Sequence, residues 1–270
     1  MFSASRVRAA SGRWHTRTAF DRNADTEDTA LMPSPPPSPL ARRAYAAVIF
    51  DFEGTLVDFQ WRLEPAEDEL RVAFARLGFG GDDFCRGNYA TMWNAAADRF
   101  APQGRMVELR QTLGPIYDRW DLDALSRWAP RPDAASMLGQ LASQGLRLGM
   151  VSNIGRQALS AALGRFDLAE WLLPVVARDE VTYMKPRAEG ILRILAEWRL
   201  APDEVLFVGD SRADVLGARA AGVAVAIIRG GECTDADFAD IPPDHGFSRL
   251  TELAGLIAAK KKGHVTPRRL

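Results

Sequence analysis

Residues 47 to 58 read AVIFDFEGTLVD, and the break inside this segment constrains the fold more than any other stretch of the chain. The apolar run Val48, Ile49, Phe50 stops abruptly on Asp51. A strand that is apolar at successive positions is buried on both faces, which is how the strands of a parallel sheet read. A carboxylate at its exit therefore stands at the carboxyl edge of the sheet, where open α/β sheets hold their ligands. Glu53, two residues on, opens into the same mouth, because side chains alternate along an extended chain. Gly54 then allows a tight turn.

The rest of the chain repeats this pattern. Apolar strands are predicted at Leu146 to Val151, Leu172 to Val176, Val205 to Val208 and Val223 to Ile228. Helices are predicted between them: Asp133 to Gln144, Arg156 to Leu163, Ala188 to Arg199, Ala213 to Ala221, and Leu250 to Ala259 at the end. Strands separated by helices of this length pair in parallel through right-handed crossovers, so the fold class is α/β. Residues 61 to 128 differ, with helical patterns at Pro65 to Leu77, Asp83 to Phe100 and Arg105 to Trp128 and no convincing buried strand. Leu70, Val72, Phe74 and Leu77 are expected to pack this helical insertion, with Trp93, Trp120 and Trp128 filling the same small bundle. The domain expectation is an N-terminal extension at 1–44, a catalytic core at 45–59 and 129–259, a helical insertion at 60–128, and a basic tail at 260–270.

The extension combines an Arg-rich start, an acidic patch from Asp21 to Asp28 and the run PSPPPSPLARR, a composition that cannot bury a core. Its first twenty residues lack acids, as transit peptides do, but the acidic and Pro-rich stretch that follows reads equally as a non-functional extension. With 270 residues, a net charge of -1 and a pI near 6.3, the chain has no basic character to favour nucleic acid. No apolar run is long enough for a bilayer, so no membrane partner is expected. Cys85 and Cys233 lie far apart without metal or redox spacing, which fits a reducing, cytoplasmic setting. The histidines are His15, His245 and His264, the first and last in the tails, which argues against a serine or cysteine nucleophile with a histidine base. Carboxylates must then carry the acid and base work.

Three further segments supply that chemistry. MVSNIG puts Ser152 and Asn153 at a strand end before a helix, a place for an oxyanion as well as for an ordinary turn. TYMKPRAEG puts Lys185 before Pro186, biasing the lysine away from helical conformation, where it could pair with Asp51 and a bound phosphate. VLFVGDSRADVLGARAAG places Asp210 at a strand exit and Asp214 about one helical turn later. Carboxylates clustered this way repel unless a cation lies among them, and hard oxygen ligands suit Mg²⁺.

The ordered set Asp51-x-x-Gly54-Thr55, strand-end Ser152, Lys185-Pro186 and Gly209-Asp210-Ser211-x-x-Asp214 resembles the haloacid dehalogenase superfamily, over about residues 46 to 255. That resemblance implies a Rossmann-like core in which the strands carrying Asp51 and Asp210 are neighbours, with the helical insertion as a mobile cap. It implies that Asp51 is a nucleophile forming an aspartyl-phosphate, with Ser152, Asn153, Thr55 and Lys185 around the phosphoryl group. It further implies Mg²⁺ held by Asp51, Asp210, Asp214 and the backbone carbonyl of Glu53, and a small soluble phosphate ester as substrate. The second acid is usually aspartate in this pattern, and here it is Glu53, a form that resembles the enolase-phosphatases. The other motifs look more like phosphoglycolate phosphatase relatives. Dehalogenase members typically carry an aromatic residue at that position and need no metal, so Glu53 favours phosphatase chemistry over a metal-independent 2-haloacid dehalogenase. A catalytically weak regulatory or binding protein of the same fold is the remaining alternative. Trp61, Arg62 and the Gly78 to Asp83 turn are candidates for substrate recognition, and oligomeric state is not readable.

Overall fold

The computed structural model describes residues 44–262, apart from 82, 83, 85 and 86. The expectations for the extension before residue 44, for Asp83 and for the tail after residue 262 lie outside the described residues.

Six parallel strands form one sheet: β1 (Ala47–Phe50), β2 (Arg147–Val151), β3 (Val175–Val176), β4 (Val205–Gly209), β5 (Ala224–Ile228) and β6 (His245–Phe247), in the order β3-β2-β1-β4-β5-β6. The order reverses at β1, whose residues pair with both neighbours: Phe50 lies level with Met150 of β2 and Val208 of β4. A reversal of this kind opens a crevice at the carboxyl edge, and in this chain Asp51, Ser152 and Asp210 follow the three central strands there. The Rossmann-like reading therefore holds, including the adjacency of the strands that carry Asp51 and Asp210. The sequence pattern missed β6, which is three residues long and contains His245. So short an edge strand has too few positions to show a period.

Period-two alternation divides the sheet between two cores. Ala47, Ile49, Val205, Phe207, Val225 and Ile227 face α6 (Glu189–Trp198) and α7 (Arg212–Ala220), which contribute Ile191, Ile194, Leu195 and Val215. Val48, Phe50, Leu206, Val208, Ala226 and Ile228 face the opposite side. There α4 (Ala134–Ser143), α5 (Arg156–Arg165) and α8 (Glu252–Lys262) cover them with Met137, Leu138, Leu159 and Leu253.

Between β1 and β2 the described chain also runs through α1 (Leu63–Arg76), α2 (Tyr89–Phe100) and α3 (Met106–Leu125). Their apolar faces, with Leu70, Phe74, Met92, Trp93, Leu109, Leu113 and Tyr117, join the second core through Phe52, Leu56, Trp61 and Trp128. Val72 departs from expectation, being 56% exposed, because it lies on the outer side of α1 between the inward-facing Leu70 and Phe74. Trp120 is only partly buried and donates to Glu69 at 3.0 Å. Trp128 sits at the seam with the sheet rather than in a helical bundle, edge-on to Phe52 at 5.1 Å.

Buried polar contacts tie this helical segment to the sheet. Arg178, after β3, pairs with Asp121 of α3 at 2.6 Å and also with Asp118, and packs over the Tyr117 ring. Asp121 accepts in addition from Gly155 N at 2.9 Å and Trp61 Nε1 at 3.1 Å. Removing one member of a buried pair strands the other, so Arg178→Met should destabilise the fold by about 3–5 kcal/mol in urea unfolding. Arg178→Met combined with Asp121→Leu should recover much of that loss, and an equal or larger loss in the double variant would contradict the account.

Candidate active site

At the β1/β4 crevice the strand exits bring together Asp51, Glu53, Ser152, Asn153, Lys185 and Asp210, which line one cavity, with Thr55 and Asp214 packed behind them. Lys185 is 4% exposed and its ammonium donates to Asp51 Oδ1 and to Asp214 Oδ1, the latter at 2.6 Å. It lies 5.5 Å from the centre of the Phe207 ring. Burial alone would lower the lysine, but Asp214 and Asp51 reverse that and hold it above its ordinary range.

The backbone that carries Lys185 is held from two sides. Asn153 accepts from Lys185 N at 3.0 Å and donates to Lys185 O at 3.2 Å. Asn94 of α2 does the same for the preceding residue, accepting from Met184 N and donating to Met184 O, both at 2.9 Å. The side-chain amide of Asn153 is thus engaged with the lysine loop rather than directed at a phosphate site. Its amide nitrogen also donates to the Tyr89 hydroxyl at 3.4 Å, so both side-chain donors are engaged and the backbone N–H is what remains for that role.

Asp210 is packed between glycines. A Cβ on Gly54 or on Gly231 would lie 2.1 Å from Asp210 Oδ2, and Gly54 also has a φ of +80°. Asp210 accepts from Glu232 N at 2.6 Å, and the Thr55 hydroxyl stands 3.1 Å from Asp210 Oδ1 and 3.4 Å from Asp51 Oδ2. Asp214 is the N3 residue of a capping box: its Oδ2 accepts from Ser211 N, Ser211 Oγ and Asp210 N at 3.0, 2.7 and 3.1 Å. With Lys185 on Oδ1, both oxygens of Asp214 already carry donors.

Asp51, Asp210 and Asp214 each offer a carboxylate oxygen, all within 4.8 Å of one another, and this cluster could hold a metal ion. Burial pushes Asp51 up to about 6 against the pull of Lys185, and burial with the charges of Asp214 and Asp51 lifts Asp210 well above the usual carboxylate range. One lysine does not balance three buried carboxylates, and a cation bound by hard oxygen donors would.

Glu53 is anchored through one oxygen. Its Oε1 accepts from Gln60 N at 2.8 Å, Trp61 N at 2.7 Å and Trp128 Nε1 at 2.7 Å, leaving Oε2 for the cavity that the residue lines. Burial pushes its carboxyl up to about 8, against the three donors and with the charge of Asp121. Glu232, Tyr89 and Phe59 belong to the site and were not singled out from sequence, and Trp128, expected only as bundle packing, donates to Glu53. Glu232 had a signal: it follows the apolar run of β5 through Gly230 and Gly231, one more acidic strand exit at the same edge. Trp61 lines the adjoining cavity, whereas Arg62 is exposed and lies 3.7 Å from Asp123. No helix among the described residues is long and apolar enough to cross a membrane.

The family model for haloacid dehalogenase-like hydrolases matches residues 45–222. The chain belongs to that family. Curated relatives include the phosphoglycolate phosphatase of Shigella dysenteriae, 32% identical over 197 residues, covering 65% of this chain and 77% of the relative. That of Yersinia pseudotuberculosis is 27% identical over 226 residues, 78% of this chain and 97% of the relative. A solved haloacid dehalogenase-like chain from Bacteroides fragilis superposes with a TM-score of 0.57 at 26% identity, covering 77% of this chain and 99% of its own. The haloacid dehalogenase-like family protein of Streptococcus pneumoniae, at 19% identity and a TM-score of 0.53 over 78% and 98% of the two chains, shares the fold. The protein is an enzyme, a haloacid dehalogenase-type phosphatase.

The anchoring of Glu53 has a measurable thermodynamic consequence. Its folded-state pKa of about 8 lies above the ordinary 4.5, so the stability it contributes is full at low pH and is lost as pH rises through the folded value. Metal-free wild type should therefore lose stability relative to Glu53→Gln between about pH 4.5 and about pH 8, followed by thermal melting. A stability difference that stays flat across that window would contradict the burial argument.

Proposed function

We propose that the chain is a Mg²⁺-dependent phosphomonoesterase acting on a small soluble phosphate ester through an aspartyl-phosphate on Asp51. The observation that carries this reading is the pair of acids at one mouth with separated roles. Asp51 is anionic at neutral pH beside the Lys185 ammonium, while Glu53, pushed up to about 8, still holds a proton. Two titratable groups driven apart by their surroundings are how one site supplies both nucleophile and acid.

In this reading the phosphoryl group lies against the Lys185 ammonium, the Ser152 hydroxyl and the Asn153 backbone N–H. Ser152 Oγ already accepts from Ile154 N at 3.2 Å, which leaves its own proton free to donate. Asp51 attacks phosphorus, and Glu53 gives its proton to the departing oxygen through Oε2. As a carboxylate, Glu53 then takes a proton from the water that attacks the phosphorylated Asp51. Asp51, Asp210 and the backbone carbonyl of Glu53 would hold Mg²⁺, with Asp214 mainly fixing Lys185, and the ion would supply charge neutralisation for the phosphoryl oxygens. Residues 60–128 act as the cap over the core formed by 45–59 and 129–259. We place the enzyme in the cytoplasm, in keeping with two cysteines that lack disulfide spacing.

Asp51→Asn should abolish phosphate release from p-nitrophenyl phosphate while leaving the circular dichroism spectrum and melting curve intact, and EDTA should silence the wild type until Mg²⁺ is restored. Substantial turnover by Asp51→Asn, or chloride release from a 2-haloacid that ignores EDTA, would move the assignment to another chemistry. Glu53→Gln keeps the backbone carbonyl and the shape but cannot transfer a proton, so it should cost roughly 10²- to 10⁴-fold in rate. The loss should be larger for alkyl phosphates than for p-nitrophenyl phosphate, whose leaving group needs little protonation. Equal rates for Glu53→Gln and wild type on both ester classes would make Glu53 a turn residue only.

A further inference from the structure

Glu232 lines the catalytic cavity with Asp51, Glu53, Lys185 and Asp210, and the mechanism above gives its side chain no task. It follows β5 through Arg229, Gly230 and Gly231, and its backbone N–H donates to Asp210 Oδ2 at 2.6 Å. Glycine at 231 permits that approach, because a Cβ there would lie 2.1 Å from the same oxygen. The loop after β5 is thus clamped onto one of the three clustered carboxylates, and the side chain it delivers to the cavity is a further acid.

The other acids that line the cavity are engaged: Asp51 by Lys185, Asp210 by the Glu232 backbone, and Glu53 by Gln60, Trp61 and Trp128. The Glu232 carboxyl is half-buried, and among the described residues it receives no hydrogen bond. Burial, with the charges of Asp214 and Asp51, pushes it up to about 7, so it shares the electrostatic surroundings of the cluster. An acid left without donors beside other acids is costly unless a cation serves them jointly.

Glu232 stands outside the direct ligand set, since the carboxylate oxygens that lie within 4.8 Å of one another belong to Asp51, Asp210 and Asp214. The cavity that all but Asp214 border has a volume of about 30 Å³, room for roughly two water molecules. Mg²⁺ dehydrates reluctantly and keeps several of its waters, and partners of those waters tune the site almost as the ligands do. A carboxylate beyond ligand distance, on the same small polar cavity and without a donor of its own, is matched to such a water. We propose that Glu232 strengthens divalent-cation binding from outside the ligand set, accepting a hydrogen bond from water bound to the ion. This rests on the Mg²⁺-dependent reading above and assigns the loop after β5 a part in it.

Titration of the metal-free protein with Mn²⁺, read as free Mn²⁺ by electron paramagnetic resonance and followed by displacement with Mg²⁺, tests this without any turnover. The wild type should bind one Mn²⁺ per chain that Mg²⁺ displaces. Glu232→Gln and Glu232→Ala should each weaken that binding by roughly 10- to 100-fold, the range that loss of an outer partner costs a metal site. Both variants keep the backbone N–H that holds Asp210, so the loss belongs to the carboxylate. Affinities in both variants equal to wild type overturn the proposal. Affinity lost in Glu232→Ala but kept in Glu232→Gln also overturns it, because shape rather than charge would then be at work. So does a metal-free Glu232→Gln that melts below metal-free wild type, which would make Glu232 a structural residue. A wild type that binds no Mn²⁺ displaceable by Mg²⁺ removes the metal-dependent reading itself, whereas binding that ignores both substitutions removes only this inference.

Discussion

One buried ammonium among three buried carboxylates sets the terms for this structure. Lys185 lies between Asp51 and Asp214, and Asp210 stands close enough to both to raise their shared electrostatic cost. Charges removed from water are tolerated only when they are paired and well bonded. The sheet order meets that demand by placing β1 and β4 side by side, so that their exits deliver Asp51 and Asp210 to one point. The capping box at the start of α7 does the same for Asp214, and the paired amides of Asn153 and Asn94 fix the loop that carries the lysine. Glycine at 54 and at 231 leaves room for the Asp210 carboxylate, which no side chain could share.

The helical segment is part of this arrangement through its two junctions. Trp61 stands where the chain leaves the sheet layer and Trp128 where it returns, and both donate to the same oxygen of Glu53. Asn94 and Arg110 meanwhile reach from the helices to the backbone at Met184 and Val181. The acid and the lysine are therefore each positioned in part by residues that lie outside the sheet. The glutamate at position 53 also finds a physical reason here. Its longer arm spans from the strand exit to the donors at both junctions while one oxygen stays at the cavity.

The strand exits were legible in the sequence because each is an apolar run ending on a polar residue. Asp51, Ser152 and Asp210 were placed at one edge by that pattern alone, and the parallel sheet followed from the helices between the strands. What the sequence could not express was how side chains divide labour once they meet. Asn153 reads as a phosphate ligand at a strand exit, yet its side-chain amide holds the backbone of Lys185, and Asp214 of the acidic cluster also accepts from Lys185 and closes the α7 cap. Trp128 read as bundle packing because an indole gives no sign in one dimension that its N–H will meet a carboxylate 75 residues earlier. Tyr89 enters the site from the first turn of α2 and Glu232 from the loop after β5, placements that depend on tertiary packing, and only the glycines before Glu232 marked its approach.

In the proposed mechanism Asp51 forms a covalent bond to phosphorus and Glu53 serves the two half-reactions in turn. The stereochemical course at phosphorus distinguishes this from direct hydrolysis, using an ester made chiral with oxygen isotopes and isotopic water. Two successive in-line displacements, first by Asp51 and then by water, predict net retention of configuration in the released phosphate. Net inversion would mean that water attacks the substrate directly, and would contradict the account.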